Sequence, residues 1–337
     1  MHQNKIAILG ITSWGVTLGN LLSENSNNVT LLSRNSDETD LIIKKRQIQR
    51  NIIYKLSKHI SISNDYEKEI SEANVILLVV PSYSIKENII KISNFLSKDQ
   101  IIISATKGFE YNSKKTISQY ISENTNINKA NIGVISGPNI SSEIYKGLPS
   151  STVIGIDKKH AGYLRNIFNS NKFRAYSSND VIGIEMGGIL KNIFAIGAGI
   201  IHEYNLGTNA LASYITRSLH EITNLSYLFG TNKTTVYGNS GLGDLITTCF
   251  NINSRNHKLG TLLAKGMNLE IAVKNISGVV EGIQTTKIIQ ELLLNEIYKY
   301  PITNEVYKVL FENKNPLNGI NDLMNREDTT EWYVKNN

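Results

Sequence analysis

One lysine stands inside an otherwise apolar stretch, in Gly187-Gly188-Ile189-Leu190-Lys191-Asn192. Lysine is almost never fully buried without a reason. Burial lowers its pKa and makes it a competent proton donor and acceptor near neutral pH. Lys191 is therefore either an acid–base group or a lysine snorkelling from a helix edge. Gly187 and Gly188 remove bulk from the preceding turn, where a flat ring or another domain could approach. Further on, Gly238-Asn239-Ser240-Gly241-Leu242-Gly243-Asp244-Leu245 is a glycine-rich loop with one acid, and Asp244 could orient an ammonium such as Lys191. Ser254-Arg255-Asn256 then offers a hydroxyl, a forked cation and an amide. That set suits a phosphate monoester, and a helix N-terminus there would add backbone donors. The plainer reading is a helix cap followed by surface residues.

The N-terminal half carries a second group of signals. Gly10-Ile11-Thr12-Ser13-Trp14-Gly15 follows an apolar strand and opens a helix, as a dinucleotide-binding turn does. Gly10 would make the tight turn and Gly15 the close helix–strand contact; Thr12 takes the place of the middle glycine. The second strand ends Leu31-Leu32-Ser33-Arg34-Asn35, without the acid that would bind a ribose hydroxyl. Arg34 is either a partner for a 2′-phosphate, which favours NADP(H) over NAD(H), or a solvated surface residue. Lys107, in Ser104-Ala105-Thr106-Lys107-Gly108-Phe109-Glu110, follows another strand, where it either meets a substrate or cofactor phosphate or is a solvated loop lysine. Glu281, in Gly278-Val279-Val280-Glu281-Gly282, caps the next helix or touches a cofactor amide or ribose.

The elements that must position these residues follow from apolar patterning. Strand-like runs at Ile6–Leu9, Val29–Leu32, Val75–Val80, Ile101–Ser104, Ile132–Ser136 and Thr152–Ile156 alternate with helical segments such as Trp14–Ser23 and Ile85–Leu96. Fully apolar strands among helices predict an α/β fold, a Rossmann-type doubly wound parallel sheet covered on both faces. The polar cluster Ser177-Ser178-Asn179-Asp180 reads as cap and hinge. Beyond it only helical patterns appear: Val181–Tyr204, Ala210–Phe229, Leu262–Lys265, Glu281–Leu294 and Val306–Phe311. The expected division is a dinucleotide-binding domain over 1–179 and an all-helical substrate domain over 180–337.

Composition narrows the classes. A chain of 337 residues with 41% hydrophobic residues has ample core for two domains. One cysteine excludes a disulfide framework and a cysteine-based zinc site, and agrees with the cytoplasm. The six histidines lack ligand spacing, so no metal is expected. No basic start, long apolar run and cleavage site occur in sequence at the N-terminus, so no signal peptide is read. The apolar run Val181 to Ile201 contains Glu185, Lys191 and Asn192, so it is expected to be a core helix and not a membrane span. The net charge of +6 and pI of 9.1 raise the question of nucleic acid. Only Lys44-Lys45-Arg46 is a tight basic run, and no nucleic-acid partner is expected.

The order of these motifs resembles bacterial NAD(P)-dependent glycerol-3-phosphate dehydrogenase over nearly the full length. The shared series runs through the Gly10–Gly15 turn, Val80-Pro81-Ser82, Lys107-Gly108-Phe109-Glu110 and Ser136-Gly137-Pro138-Asn139. It continues with Glu185-Met186-Gly187-Gly188-Ile189-Leu190-Lys191-Asn192, Asn209 with Ile215-Thr216-Arg217, and Gly241-Leu242-Gly243-Asp244-Leu245. Ser254-Arg255-Asn256, Val280-Glu281-Gly282 and Leu323-Met324-Asn325-Arg326 complete it. The resemblance implies reversible reduction of dihydroxyacetone phosphate to sn-glycerol 3-phosphate, supplying glycerophospholipid synthesis, with the active site between the domains. It implies Lys191 as the proton-transfer residue, with Asp244. Lys107, Gly137, Asn139, Lys191, Asp244, Ser254, Arg255 and Asn256 fall at substrate positions. Ser13, Trp14, Arg34, Lys107, Ser141, Arg255, Val279 and Glu281 fall at cofactor positions, beside the turn glycines Gly10 and Gly15. The architecture suggests a homodimer.

The sequence departs from the family pattern at four places. Thr12 replaces a glycine, and its Cβ would push on the pyrophosphate approach. Asn139 stands for a small hydroxyl residue, Ser141 for a frequent alanine, and Thr208 for a common acid. Two other readings remain beside the resemblance: a related two-domain dehydrogenase of hydroxy acids, and a non-catalytic dinucleotide-binding protein.

Overall fold

The structure is a computed structural model, and it describes residues 4–25, 27–294, 296–327 and 331. Among the described residues ten strands form in chain order: β1 (Lys5–Leu9), β2 (Asn28–Leu32), β3 (Gln47–Gln49), β4 (Ile53–Lys55), β5 (Ile60–Ser63), β6 (Val75–Leu78), β7 (Ile101–Ser104), β8 (Ile132–Ser136), β9 (Ser150–Gly155) and β10 (Phe173–Ser178). Between them, among the described residues, lie the helices α1 (Ser13–Glu24), α2 (Ser36–Lys45), α3 (Tyr66–Ser71), α4 (Ile85–Ile92), α5 (Ile117–Asn124), α6 (Ser141–Tyr145) and α7 (Lys158–Phe168). Eight strands make one sheet in the order β10-β9-β8-β7-β6-β1-β2-β5, and β3 and β4 form a separate antiparallel hairpin. Within the described residues the sheet is parallel except where β8 meets β9 antiparallel, so β9 and β10 run against the other six. That junction departs from the wholly parallel expectation. A short connection through α6 brings the chain back beside β8 without the crossover a parallel neighbour needs.

Alternation in the strands explains the two-faced cover. Ile6 and Ile8 of β1 enter one core with Val29, Leu31 and Leu77, while Ala7 and Leu9 enter another with Ile76, Leu78 and Ile102. A strand buried on both faces must be apolar at every position, which is why β1, β6 and β7 read as unbroken apolar runs. The chain runs outward from β1 to β2 and β5, then returns to β6 on the opposite side of β1. The strand order therefore reverses between β1 and β6, the place where such sheets open a crevice beyond their carboxyl ends.

Helices follow: α8 (Val181–Glu203), α9 (Gly207–Tyr227), α10 (Asp244–Phe250), α11 (Arg255–Ala264), α12 (Leu269–Lys274), α13 (Glu281–Leu292), α14 (Pro301–Phe311) and α15 (Pro316–Met324). No strand occurs after Ser178 among the described residues. Asp180 caps α8 by accepting from the Gly183 N–H at 2.9 Å, and also accepts from Asn232 N and Thr235 Oγ1. Helix α8 has the length and hydropathy of a membrane span, yet it is enclosed by the rest of the chain. It is the axis of the second core, with Ile189, Ile193, Phe194 and Ile196 packed against Leu245, Leu259 and Ile288. The approach of α11 is close enough that a Cβ at Gly260 would fall 1.9 Å from the Ile196 carbonyl oxygen. Val134 and Val153 of the sheet pack with Ile184 of α8, joining the two halves.

Candidate functional site

The centre of the site is a single carboxylate holding two ammonium groups. Lys191 Nζ donates to Asp244 Oδ1 at 2.5 Å and to Thr248 Oγ1 at 2.6 Å. Lys107 Nζ donates to Asp244 Oδ2 at 2.5 Å and to the Gly137 carbonyl at 3.0 Å. Lys107 follows β7 in the sheet half, whereas Lys191 and Asp244 belong to the helical half. Lys191 is thus no snorkelling residue: it is 7% exposed. Burial lowers its pKa from 10.5 to about 8; the charge and hydrogen bond of Asp244 oppose the fall, and the Lys107 charge adds to it. An ammonium with that pKa can give and take a proton near neutral pH.

Local sequence places these groups. The glycine-rich stretch before Asp244 is a π-helical turn over Asn239–Gly243, and Asp244 stands at its exit as the first residue of α10. Wide turns of this kind concentrate at functional sites. Thr248 lies one helical turn beyond Asp244 and was not expected from the sequence; its signal is the spacing of four. The two glycines before Lys191 admit different neighbours. A Cβ at Gly187 would lie 2.7 Å from the Ser240 carbonyl oxygen, and one at Gly188 2.5 Å from Ser136 Oγ. The π turn occupies the first gap, and the end of β8 the second. Cys249, next to Thr248, is buried, and burial pushes its thiol up to about 12, so it stays protonated.

Ser254 occupies the N-cap position of α11, but its hydroxyl makes no capping bond, and Arg255 begins the helix exposed. Asn256 is buried: its Nδ2 donates to Asn192 Oδ1 at 2.8 Å and its Oδ1 accepts from Gly282 N at 3.0 Å. It therefore ties α11 to α8 and α13, with one amide proton left over. Asn139 is more fully engaged. Its Nδ2 donates to Ser151 O at 2.9 Å and Ser150 Oγ at 3.3 Å, and its Oδ1 accepts from Thr152 Oγ1 at 2.9 Å. Both of its amide protons brace the turn carrying Gly137 against β9. Glu281 does not cap α13. It reaches across to the sheet half, accepting from Ser82 Oγ at 2.5 Å and Ser82 N at 3.2 Å, and burial raises its pKa.

The turn after β1 fits a dinucleotide. Gly10 has φ +111°, and a Cβ there would lie 2.3 Å from the Val79 carbonyl oxygen; one at Gly15 would lie 2.1 Å from Gly10 O. Thr12 needs no such freedom, with φ −101°. Its Oγ1 accepts from Gly15 N at 3.0 Å and donates to Val79 O at 3.3 Å, so the hydroxyl is spent on the turn and the end of β6. Ser13 opens α1, and Trp14 packs half-buried on the first core. Ser141 opens α6, with its hydroxyl 3.3 Å from the buried Tyr54 hydroxyl of β4. Val279 lies half-buried just before α13. Arg34 projects from the end of β2 and pairs with Glu38 Oε1 at 3.0 Å. Burial works to raise the Glu38 pKa, but hydrogen bonds from Arg34 and the charges of Arg34 and Arg50 outweigh it and hold the carboxyl low.

The chain is similar to known proteins in sequence and fold. A family model described as NAD-dependent glycerol-3-phosphate dehydrogenase N-terminus matches residues 5–162, and the corresponding C-terminus model matches residues 180–321. A Dehalococcoides mccartyi protein named glycerol-3-phosphate dehydrogenase (NAD(P)+) is 39% identical over 335 residues, 98% of this chain and 93% of its own. One of the same name from Fusobacterium nucleatum is 36% identical over 331 residues, 97% of this chain and 98% of its own. The crystal structure of glycerol-3-phosphate dehydrogenase from Coxiella burnetii superimposes with a TM-score of 0.88 at 29% identity, covering 96% of this chain and 99% of that one.

Proposed function

The chain belongs to the family of NAD-dependent glycerol-3-phosphate dehydrogenases, and from that premise we propose how its own residues divide the work. The activity is NAD(P)-dependent interconversion of dihydroxyacetone phosphate and sn-glycerol 3-phosphate, which supplies glycerophospholipid synthesis. The observation that carries the assignment of residues is the Lys191–Asp244–Lys107 cluster, a buried acid of tuned pKa held at the meeting of two domains. We read residues 1–179 as the dinucleotide domain and 180–337 as the substrate domain.

When bound, the nicotinamide supplies the hydride to C2 of the ketone or takes it back. Negative charge develops on the carbonyl oxygen, and Lys191 Nζ donates a hydrogen bond and then the proton to it. In oxidation the neutral amine takes that proton. Asp244 and Thr248 fix Nζ, and Lys107 adds a second positive charge beside the same carboxylate. Arg255, Ser254 and the first-turn amides of α11 grip the substrate phosphate, while Asn256 fixes the start of that helix. Asn139 acts on substrate through the position of Gly137. Gly10, Ser13, Trp14 and Gly15 receive the pyrophosphate, and Ser141 lies beside them. Arg34 receives a 2′-phosphate, and Arg255, Val279 and Glu281 lie towards the nicotinamide end. The lone buried thiol supports a cytoplasmic setting, and sedimentation tests the homodimer.

Purified chain, dihydroxyacetone phosphate and NADPH should give nicotinamide absorbance decay that Lys191→Ala abolishes. Near-normal turnover in that variant would overturn the assignment. A hydroxy-acid dehydrogenase would instead turn over carboxylate substrates without needing phosphate, and a substrate panel separates the two.

A further inference from the structure

We propose that Glu38 sets the balance between NAD(H) and NADP(H), acting against Arg34, whose fork it fills, and Arg50, whose guanidinium reaches the glycine turn; this rests on the dinucleotide reading of the β1–α1 turn. Three elements meet here. Arg34 ends β2, Glu38 lies in the first turn of α2, and Arg50 stands in the turn between β3 and β4. The Glu38 carboxylate fills the Arg34 fork. Oε2 accepts from the Arg34 backbone N–H at 2.8 Å and from Nε at 3.3 Å, and Oε1 accepts from Nη2 at 3.0 Å. Arg50 Nη2 reaches the carbonyl of Ile11, inside the glycine turn, at 3.4 Å, while Nη1 donates to Gln49 O at 2.9 Å. That contact hangs the second guanidinium over the dinucleotide turn, within electrostatic reach of Glu38.

The chemistry follows from charge and shape. A carboxylate and a phosphate both match the planar guanidinium fork, so they compete for Arg34. A 2′-phosphate displaces Glu38 from the fork and is held by Arg34 and Arg50 together. A 2′-hydroxyl leaves the Arg34–Glu38 pair intact and donates to the carboxylate. Two cations against one anion leave the site net positive, enough to receive the phosphate, while Glu38 stops it from excluding the hydroxyl. The side chain of Arg34 is 85% exposed, so it is free to change partners.

The test is equilibrium binding of NADPH and of NADH to the chain without substrate, followed by nicotinamide fluorescence. Glu38→Gln keeps an acceptor for the Arg34 backbone N–H but removes the charge. It should tighten NADPH by about tenfold without tightening NADH. Arg50→Gln should weaken NADPH by about tenfold and leave NADH within about twofold. Unchanged affinity ratios in both variants, with both cofactors still bound, would overturn this inference and leave the dehydrogenase reading standing. Failure of the unaltered chain to bind either cofactor would overturn both.

Discussion

Asp244→Asn is the sharpest perturbation of the site, because it removes a charge while keeping the shape. In the intact protein Lys191 has a pKa of about 8, so roughly three-quarters of it is ammonium at pH 7.5. Loss of an opposite charge in direct contact lowers a pKa by about 1–3 units. The Lys107 ammonium, no longer neutralised, pushes the same way. Lys191 then titrates between about 5 and 7, and its ammonium share at pH 7.5 drops to between about a quarter and about 0.3%. Reduction of dihydroxyacetone phosphate needs the ammonium, so kcat/KM at that pH should fall by about 3-fold to about 200-fold. The sign is the test. In reduction the falling limb of the pH profile moves down from about 8. In oxidation, where the neutral amine is the base, the rising limb moves down with it. Breaking a buried ion pair also costs about 3–5 kcal/mol of stability. The position of a limb, unlike its height, does not depend on how much enzyme is folded. A limb that stays near 8 in the variant would refute the role given to Asp244.

Two further perturbations probe the scaffold. Gly260→Ala puts a methyl group into backbone 1.9 Å away, and thermal melts should show a loss of about 1–3 kcal/mol or more. Gly162→Ala, on the exposed face of α7 with nothing within 4 Å of the new Cβ, should instead stabilise by about 0.5–1 kcal/mol; equal shifts in the two would contradict the packing described. Burial raises the Glu221 carboxyl from 4.5 to about 7, although Ile302 N, Thr303 N and Thr303 Oγ1 all donate to it. A raised folded pKa gives stability that is whole below about pH 4.5 and is lost as pH rises to about 7. The advantage of the native chain over Glu221→Gln should therefore shrink by up to about 3 kcal/mol across that window. Urea melts at both ends check it, and a constant difference would count against it.

The sheet's centre was legible because both of its faces are buried. Its margins were not. β5 reads Ile-Ser-Ile-Ser, and β10 alternates buried Phe173 and Ala175 with exposed Arg174 and Tyr176. These edge strands bury one face only, so no continuous apolar run marks them. The β3–β4 hairpin is three residues a side and polar at half its positions. In the site, Lys191 announced itself as a charge among apolar neighbours, and Asp244 as the one acid in a glycine-rich turn. The bond from Lys107 to Asp244 spans 137 residues and leaves no local pattern. Glu38 leaves no signal at the end of β2, where a ribose-binding acid would stand. The first turn of α2 folds this one back onto Arg34. The resemblance puts Asn139 and Asn256 at substrate positions, but which partners use up an amide is decided only by packing.

Helix α8 carries Lys191, the proton-transfer residue proposed above, and is also the axis of the helical core. Local opening in proteins starts where contacts are few and backbone is exposed, and reaches a central helix last. That lysine is therefore among the last things heat or denaturant can disturb, while Arg34, Arg50 and Arg255, the recognition groups proposed above, lie exposed. Mild stress should cost this protein its discrimination between ligands before it costs the chemistry itself. Sequence drift meets the same asymmetry, since the exposed groups can change a partner at little cost in stability, and the axis cannot.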